Sequence, residues 1–289
     1  MKIKILIPIY NDWQSVFKLL ENINSEISGL EHEFSAIIVN DASTESRPEI
    51  NLNLNNLNSI KIINMKENRG HARCNAAGLK HIFENEEFDY VIPMDGDGED
   101  RPEEIKQLID NLNYHPDKPI VGERIKRSEG IFFKFCYFAH KIITSTFTGQ
   151  SIKYGNYTCL PKSIVEKMIN EKATWSSFSG ALAKITKDRA IIPSERGTRY
   201  FGPSKMSFKN LIIHSLSIIS VFRTNVLIRS ILFLLVYIFL IHQNITAIML
   251  IPVILVLTLI ASVFVVSKRE NLEELNKSLL NISNIDNLK

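Results

Sequence analysis

Apolar residues follow two rhythms in the first half of the chain. KIKILIPI (2–9), FSAIIVN (34–40), IKIINM (60–65) and FDYVIPM (88–94) are short, nearly continuous runs rich in Ile and Val, as expected of strands buried on both faces of a parallel sheet. Between them, Trp13–Ile27, Ala72–Phe83 and Pro102–Leu112 read as helices. For the last of these, Asp100 is the expected N-cap, with Pro102, Glu103 and Glu104 in the first turn. The alternation predicts an α/β domain with right-handed crossovers, whose ligands lie beyond the carboxyl ends of the strands. Each run ends in, or soon reaches, polar residues: Asn11 and Asp12, Asn40 and Asp41, Asn68 and Arg69, Asp95 and Asp97. Four such ends facing one sheet edge predict a site there. The asparagine-rich stretch 51–59 reads as an exposed loop or ragged helix with no assigned chemistry.

The pattern changes in the last third. MSFKNLIIHSLSIISVF (206–222) places Ser207, Asn210, His214, Ser217 and Ser220 at spacings of three and four on an otherwise mostly apolar helix, which suits a membrane interface. Residues 245–266 are 22 positions without a charge, enough to cross ~30 Å of hydrocarbon. Residues 224–241 are also apolar, apart from their start, where Arg229 can snorkel. Only His242, Gln243 and Asn244 separate the two, so a transmembrane hairpin is expected, with Pro252 as a kink in its second helix. Arg223 and Arg229 lie at its start and Lys268 and Arg269 follow, which puts both ends in the cytoplasm. The expected boundaries are a catalytic head at 1–205, an interface helix at 206–223, the hairpin at 224–267 and a cytoplasmic tail at 268–289.

Net charge is only +3 over 289 residues, so nothing global points to nucleic acid. The average hides an acid-free run from Arg196 to Arg229 containing Arg196, Arg199, Lys205, Lys209, Arg223 and Arg229. Three cysteines without CxxC spacing argue against a disulfide framework. The opposite charge is concentrated in VIPMDGDGED (91–100), where Asp95, Asp97, Glu99 and Asp100 follow an apolar strand. Like charges at this range repel, increasingly so as water is excluded, and call for a cation. Mg²⁺ takes one or two carboxylates plus substrate phosphates. Asp95 and Asp97 can turn to one ion if Gly96 and Gly98 permit the bend, and Glu99 can add an oxygen. A solvated acidic loop is the alternative. An EF-hand loop fails, because Asp100 and Lys106 stand where Gly and Glu are required. No GxGxxG follows the first strand, which excludes the common dinucleotide fingerprint.

PIYND (8–12), VNDAS (39–43), NRGHARCNA (68–76), MDGDGEDRPEEI (94–105), VGER (121–124) and RYFGPSKM (199–206) occur in the order found in family 2 glycosyltransferases. The chain resembles that family over about residues 1–225, and most of all its polyprenyl-phosphate sugar transferases of the dolichyl-phosphate mannose synthase kind. The resemblance implies a GT-A, Rossmann-like head followed by an amphipathic interface helix and a two-helix transmembrane hairpin. It implies nucleotide-sugar binding by Pro8, Tyr10, Asp12, Asp41, Arg69, Gly70, Asp95 and Arg124. Mg²⁺ or Mn²⁺ would lie on Asp95, Asp97 and Glu99, and an acceptor phosphate near Arg199, Ser204 and Lys205. Asp97, Glu99, Arg199 and Lys205 are the implied catalytic set. VNDAS has one Asp where many relatives have two, Glu99 replaces a usual Gln, and an acid often found just before SIKYGNYTCLPKS (151–163) is absent.

A leaving nucleoside diphosphate needs its charge neutralised, and the acid-free run supplies cations for that. A sugar hydroxyl as nucleophile would also need a general base, whereas a phosphate monoester, with a second pKa of ~6, is already ionised. From Gly130 to Ser194 the only acids are Glu166, Glu171 and Asp188, on segments that read as surface. The expected function is an inverting, metal-dependent transfer from a UDP- or GDP-sugar to polyprenyl phosphate at the cytoplasmic face of the inner membrane, with self-association of such heads also expected. The alternatives are a saccharide or lipid hydroxyl acceptor, and a non-catalytic nucleotide-sugar binder. Trp175 reads as an interior aromatic rather than a sugar platform, and His71 as structural or exposed rather than a phosphate contact.

Overall fold

A computed structural model describes residues 1–49, 53–126, 138, 141–203 and 207–289. In chain order these form β1 (Lys2–Ile9), α1 (Trp13–Glu26), β2 (Glu33–Asn40), β3 (Leu57–Met65), α2 (His71–Asn85), β4 (Tyr90–Pro93), α3 (Ile105–Leu112), β5 (Ile120–Lys126), β6 (Tyr154–Pro161), α4 (Lys162–Ile169), α5 (Phe178–Ile185) and β7 (Ala190–Glu195). Then come α6 (Phe208–Ser220), α7 (Arg223–Ile241), α8 (Ile251–Ser267), α9 (Leu272–Asn276) and β8 (Ile282–Asn287). The described residues divide into two compact units. One draws on Met1–Ser128, Lys153–Lys205 and Asn271–Lys289, the other on Glu129–Ile152 and Met206–Glu270.

The first unit is built on one mixed sheet in the order β7-β5-β6-β4-β1-β2-β3-β8. Strands β4, β1, β2 and β3 run parallel, so their carboxyl ends line one edge, as their apolar composition predicts. Ile3, Ile5, Ile7 and Ile9 of β1 pack in one core with Trp13, Val16, Phe17 and Leu20 of α1 and with Ile105, Leu108 and Leu112 of α3. On the opposite face α2 lies over Leu6 and Val39. Burial on both faces explains why these strands lack polar alternation. Cys74 and Cys159 are buried free thiols. This is the mixed, Rossmann-like GT-A architecture expected of the head.

Two boundaries differ from the sequence expectation. The head is not continuous over 1–205, since the described residues of 141–152 group with the C-terminal helices. Of the stretch expected as a tail, 268–289, Asn271–Lys289 belongs to the first unit, where β8 pairs antiparallel with β3. ISNIDN carries too few apolar residues to announce a strand, because an edge strand with one partner needs little burial.

In the second unit α7 spans 19 residues with mean hydropathy 2.2. The most apolar 18 residues of the stretch that contains α8 average 3.0. Both helices are long and apolar enough to cross a membrane. Pro252 does not kink α8; it occupies the first turn, where its missing N–H is no loss. The polar stripe of α6 is not an outward face throughout. Ser217 and Ser220 are buried, with Ser220 Oγ donating to the Ser217 carbonyl at 2.9 Å, while α6 packs on α8. Small side chains there admit the neighbouring helix. Arg229 Nη1 donates to the Thr146 carbonyl at 2.9 Å rather than only reaching for an interface.

Candidate active site

Backbone conformation marks the carboxyl edge of the sheet. Asn11, just past β1, has φ 50°, and Ala42, just past β2, has φ 56°. Left-handed backbone at residues other than Gly costs free energy and concentrates at ligand sites. Asp12 occupies the N-cap position of α1 yet makes no side-chain cap, although Asp there normally satisfies a helix N–H. Its carboxylate instead pairs with Arg199.

The acidic loop follows β4. Gly98 takes φ +89°, and a Cβ there would lie 2.5 Å from the Tyr200 ring. Gly96, by contrast, does not adopt positive φ. Residues 196–201 are laid across this loop as a strap. Gly197 N–H donates to the Glu99 carbonyl at 2.9 Å and Tyr200 N–H to the Asp97 carbonyl at 2.9 Å. A Cβ on Gly197 would meet the Gly98 carbonyl oxygen at 2.6 Å, so both glycines are required by the closeness of the strap. Asn22 on α1 fixes the strap from below, donating Nδ2 to Tyr200 Oη at 2.8 Å.

The strap delivers two guanidinium groups. Arg199 bridges Asp97, with Nη1 2.6 Å from Oδ2, and Asp12. Arg196 pairs with Glu99. These pairs are largely shielded from water, with the Arg199, Asp97 and Asp12 side chains at 15%, 16% and 15% exposure. On the far side, His71 Nε2 lies 3.2 Å from Asp95 Oδ1, and Asn156 on β6 approaches both groups. Asp100 does not cap the following helix as the sequence suggested. Its carboxylate turns back to accept the Asp95 N–H at 2.9 Å, and Arg124 lies 3.5 Å from its other oxygen. Closing the loop on itself satisfies the partly buried Asp95 N–H.

The carboxylates separate electrostatically. Burial, then the adjacent Asp95 charge, push Asp97 up to about 6 despite Arg199. Burial and Asp95 likewise push Asp100 up to about 7 against the pull of Arg124. Asp95 is itself held well below the usual range: burial would raise it, but His71 and Arg124 outweigh that. Burial alone would lower His71, and Asp95 reverses this, so the imidazole is raised. One acid in the cluster is firmly ionised and its neighbours resist ionisation, an arrangement that a divalent cation would relieve.

Asp41 is placed differently from a free base-binding acid. Its Oδ1 accepts the Arg69 N–H at 2.9 Å and Oδ2 the Gly70 N–H at 2.8 Å, pinning the turn into α2. Burial nonetheless raises it, more than these two bonds lower it. Arg69 therefore meets the site through its backbone, while its guanidinium pairs with Glu67 at 3.1 Å. Pro8 is buried in register with Val39, and Tyr10 stands exposed beyond it. Glu99 is drawn to Arg196, and among the described residues no three metal-ligating side chains form a ready cage. Two carboxylates without a cage suit Mg²⁺ or Mn²⁺ completed by substrate phosphates. Ser204 and Lys205 lie outside the described residues.

His71, Asn156, Arg196, Asp100 and Tyr200 were not among the site residues read from sequence. The signals for them were the acid-free run containing Arg196, the acidic run containing Asp100 and the motifs containing His71 and Tyr200. Trp175 is interior, as expected: it is 2% exposed, and its Nε1 donates to Glu274 Oε2 at 2.7 Å.

Comparison with known proteins shows the family and the fold. The profile of the family described as Glycosyl transferase family 2 matches residues 4–164. Among solved structures, S. aureus TarS 1-349 in complex with UDP-GlcNAc is 15% identical with TM-score 0.50, over 80% of this chain and 70% of that one. Glucosyl-3-phosphoglycerate synthase from Mycobacterium tuberculosis, in complex with Mn²⁺, UDP and glucosyl-3-phosphoglycerate, is 12% identical with TM-score 0.54, over 78% and 79%.

Proposed function

The chain belongs to glycosyl transferase family 2 and is a glycosyltransferase, and on that premise we propose that it transfers one sugar, with inversion, from a UDP- or GDP-sugar to polyprenyl phosphate. The observation that carries this reading is the strap: Arg199 on Asp12 and Asp97, and Arg196 on Glu99. Cations stacked on acids at the sheet edge are the complement of a diphosphate that arrives with its own divalent ion. Asp95 and Asp97 would hold Mg²⁺ or Mn²⁺, which neutralises charge on the departing diphosphate. Arg199 and Arg196 then exchange carboxylate for phosphate oxygens, which bidentate guanidinium groups fit equally well. Tyr10, Asp12 and the Asp41-pinned turn border the nucleoside position, and Arg124 steadies the acid loop through Asp100. Ser204 and Lys205 are assigned to the acceptor phosphate. The UDP-bound relatives support a UDP-sugar as the donor to try first.

The acids of the middle region support a phosphate acceptor. Glu171 caps a turn and pairs with Lys184 at 2.9 Å, Asp188 pairs with Lys118 at 2.8 Å, and Glu166 is exposed on α4. None of these is arranged as a base. The apolar helices α7 and α8 support a lipid acceptor at the inner membrane, and the flanking Arg223, Arg229, Lys268 and Arg269 favour a cytoplasmic head. A second reading, a hydroxyl acceptor, is favoured by Glu99: released from Arg196, its carboxylate would be available as a base.

The test is transfer by the detergent-purified full chain with Mn²⁺ or Mg²⁺, a panel of UDP- and GDP-sugars, and undecaprenyl phosphate. A sugar-phosphoryl-lipid product is expected, formed also by Glu99→Gln. Transfer only to hydroxyl acceptors, abolished by Glu99→Gln, would replace the lipid-phosphate reading with the second.

A further inference from the structure

A line of side-chain hydrogen bonds crosses the carboxyl edge of the sheet, from the C-terminal strand to the turn after β1. Asp286 on β8 accepts from Asn64 Nδ2 on β3 at 3.2 Å. Asn64 Oδ1 accepts from Asn40 Nδ2 on β2 at 2.9 Å, the two residues being in register. Asn40 Oδ1 accepts the Ser43 N–H at 3.0 Å, and Ser43 Oγ accepts the Asn11 N–H at 2.8 Å. Asn11 then closes the loop by accepting the Thr44 N–H at 2.8 Å through Oδ1. The line ends on the two non-glycine segments that have left-handed backbone among the described residues, Asn11 and the neighbourhood of Ala42.

We propose that Asp286 is a positioning residue for the donor site, acting through Asn64 and Asn40 on the loop after β2 and on the backbone of Asn11. The inference rests on the reading above that the donor nucleoside lies beyond β1 and β2. An ionised carboxylate can only accept hydrogen bonds, whereas an amide presents a donor on one side and an acceptor on the other. Asp286 therefore turns the Asn64 amide so that its oxygen meets Asn40. That in turn aims the Asn40 oxygen at the Ser43 N–H, which holds Ser43 where its hydroxyl oxygen accepts from Asn11. The orientations of the two amides are thus matched to the carboxylate at the outer end, while the two inner bonds are donated by backbone N–H groups of the loop. Asn40 is 8% exposed, so an amide turned the wrong way there would leave a buried N–H or C=O unsatisfied. Asn11 lies between Tyr10 and Asp12, and Ser43 lies two residues past Asp41; a slack loop would therefore misplace residues on both sides of the nucleoside. Arg47 also pairs with Asp286, at 3.0 Å, but both side chains are 36% exposed, and a pair in that setting contributes little.

The test uses the full chain and measures UDP and GDP affinity, donor KM and kcat for Asp286→Ala, Asp286→Asn, Asn64→Ala and the double Asp286→Ala/Asn64→Ala variant. Asp286→Ala should weaken nucleotide binding and raise donor KM by about fivefold, the scale of coupling within one hydrogen-bond network, with kcat little changed. Asp286→Asn, which keeps an acceptor oxygen, should recover most of the loss, and Arg47→Ala should bind like wild type. The double variant should be no worse than either single one. Asn64→Ala leaves β8 free to pair through its backbone and carries the same test should Asp286→Ala fail to fold. Wild-type nucleotide affinity in both Asp286→Ala and Asn64→Ala, or losses that add in the double variant, would overturn the inference alone. A wild-type chain that binds neither UDP nor GDP would overturn the reading of the site together with it.

Discussion

Moving the metal-free protein from about pH 8 to about pH 6.5 should stabilise it. The sign follows from the acid loop. Asp97 and Asp100 have folded pKa values of about 6 and about 7, above the unfolded value of 3.8, so their protonated forms are favoured by folding. The stability they contribute is fully present below the unfolded value and is lost as pH rises through the folded one. Asp100 titrates within this window and Asp97 begins to, which together are worth ~1 kcal/mol, or a Tm rise of roughly 2–4 °C for a chain of this size. His71, raised by Asp95, acts in the same direction. Burial lowers His81, so its opposing effect is felt only as pH falls further, towards and below 6.5. Asp95 and Glu86 are held below the usual range and act only in more acid solution. A divalent ion must displace the protons on this loop, so Mn²⁺ with UDP should raise Tm more at the higher pH than at the lower. Differential scanning fluorimetry in chelator, and then with Mn²⁺ and UDP, reads both effects. A metal-free Tm that is flat or falls between about pH 8 and about pH 6.5 would refute the electrostatic description of the loop.

Three further outcomes are expected. Arg199→Lys keeps a charge but cannot fork between Asp12 and Asp97, and should cost transfer about 100-fold in kcat/KM in a steady-state assay, more than a generic loss of positive charge explains. Gly98→Ala forces a Cβ into the φ +89° backbone and against the Tyr200 ring; denaturant unfolding should show a loss of roughly 2–4 kcal/mol, partly recovered when Tyr200→Ala is added. Glu86→Ala removes the shared partner of Lys4, at 3.0 Å, and Lys61, at 2.5 Å, and should destabilise by about 3 kcal/mol in the same assay, because Lys4 stays buried without a counter-charge.

The parallel strands and the helices between them were legible in the sequence because burial on both faces leaves uninterrupted apolar runs, and the run 88–94 ends visibly in carboxylates. The two long apolar helices were legible for a similar reason, since their uncharged stretches stand out from the rest of the chain. Three features were not. β8 sits at an edge with a polar composition, so no periodicity marks it. The strap could not be placed on the acid loop because Gly98 and Gly197 are 99 positions apart, and their fit depends on a tertiary approach that spacing does not encode. Asp100 carried the local signature of a helix cap, yet a backbone N–H five residues upstream claimed its carboxylate. Asp12 shows the same competition, an N-cap residue diverted to a guanidinium group 187 positions away.

The most direct test of the site is the electron paramagnetic resonance of Mn²⁺ titrated into the full-length protein with and without UDP. Asp95 and Asp97, with no third ligand among the described residues, should bind the ion weakly alone and tightly together with UDP, and Asp97→Asn should abolish the bound signal while leaving the fold intact. Bound Mn²⁺ that is indifferent to UDP, or unchanged in Asp97→Asn, would contradict the assignment of the acid loop as the place where metal and donor diphosphate meet.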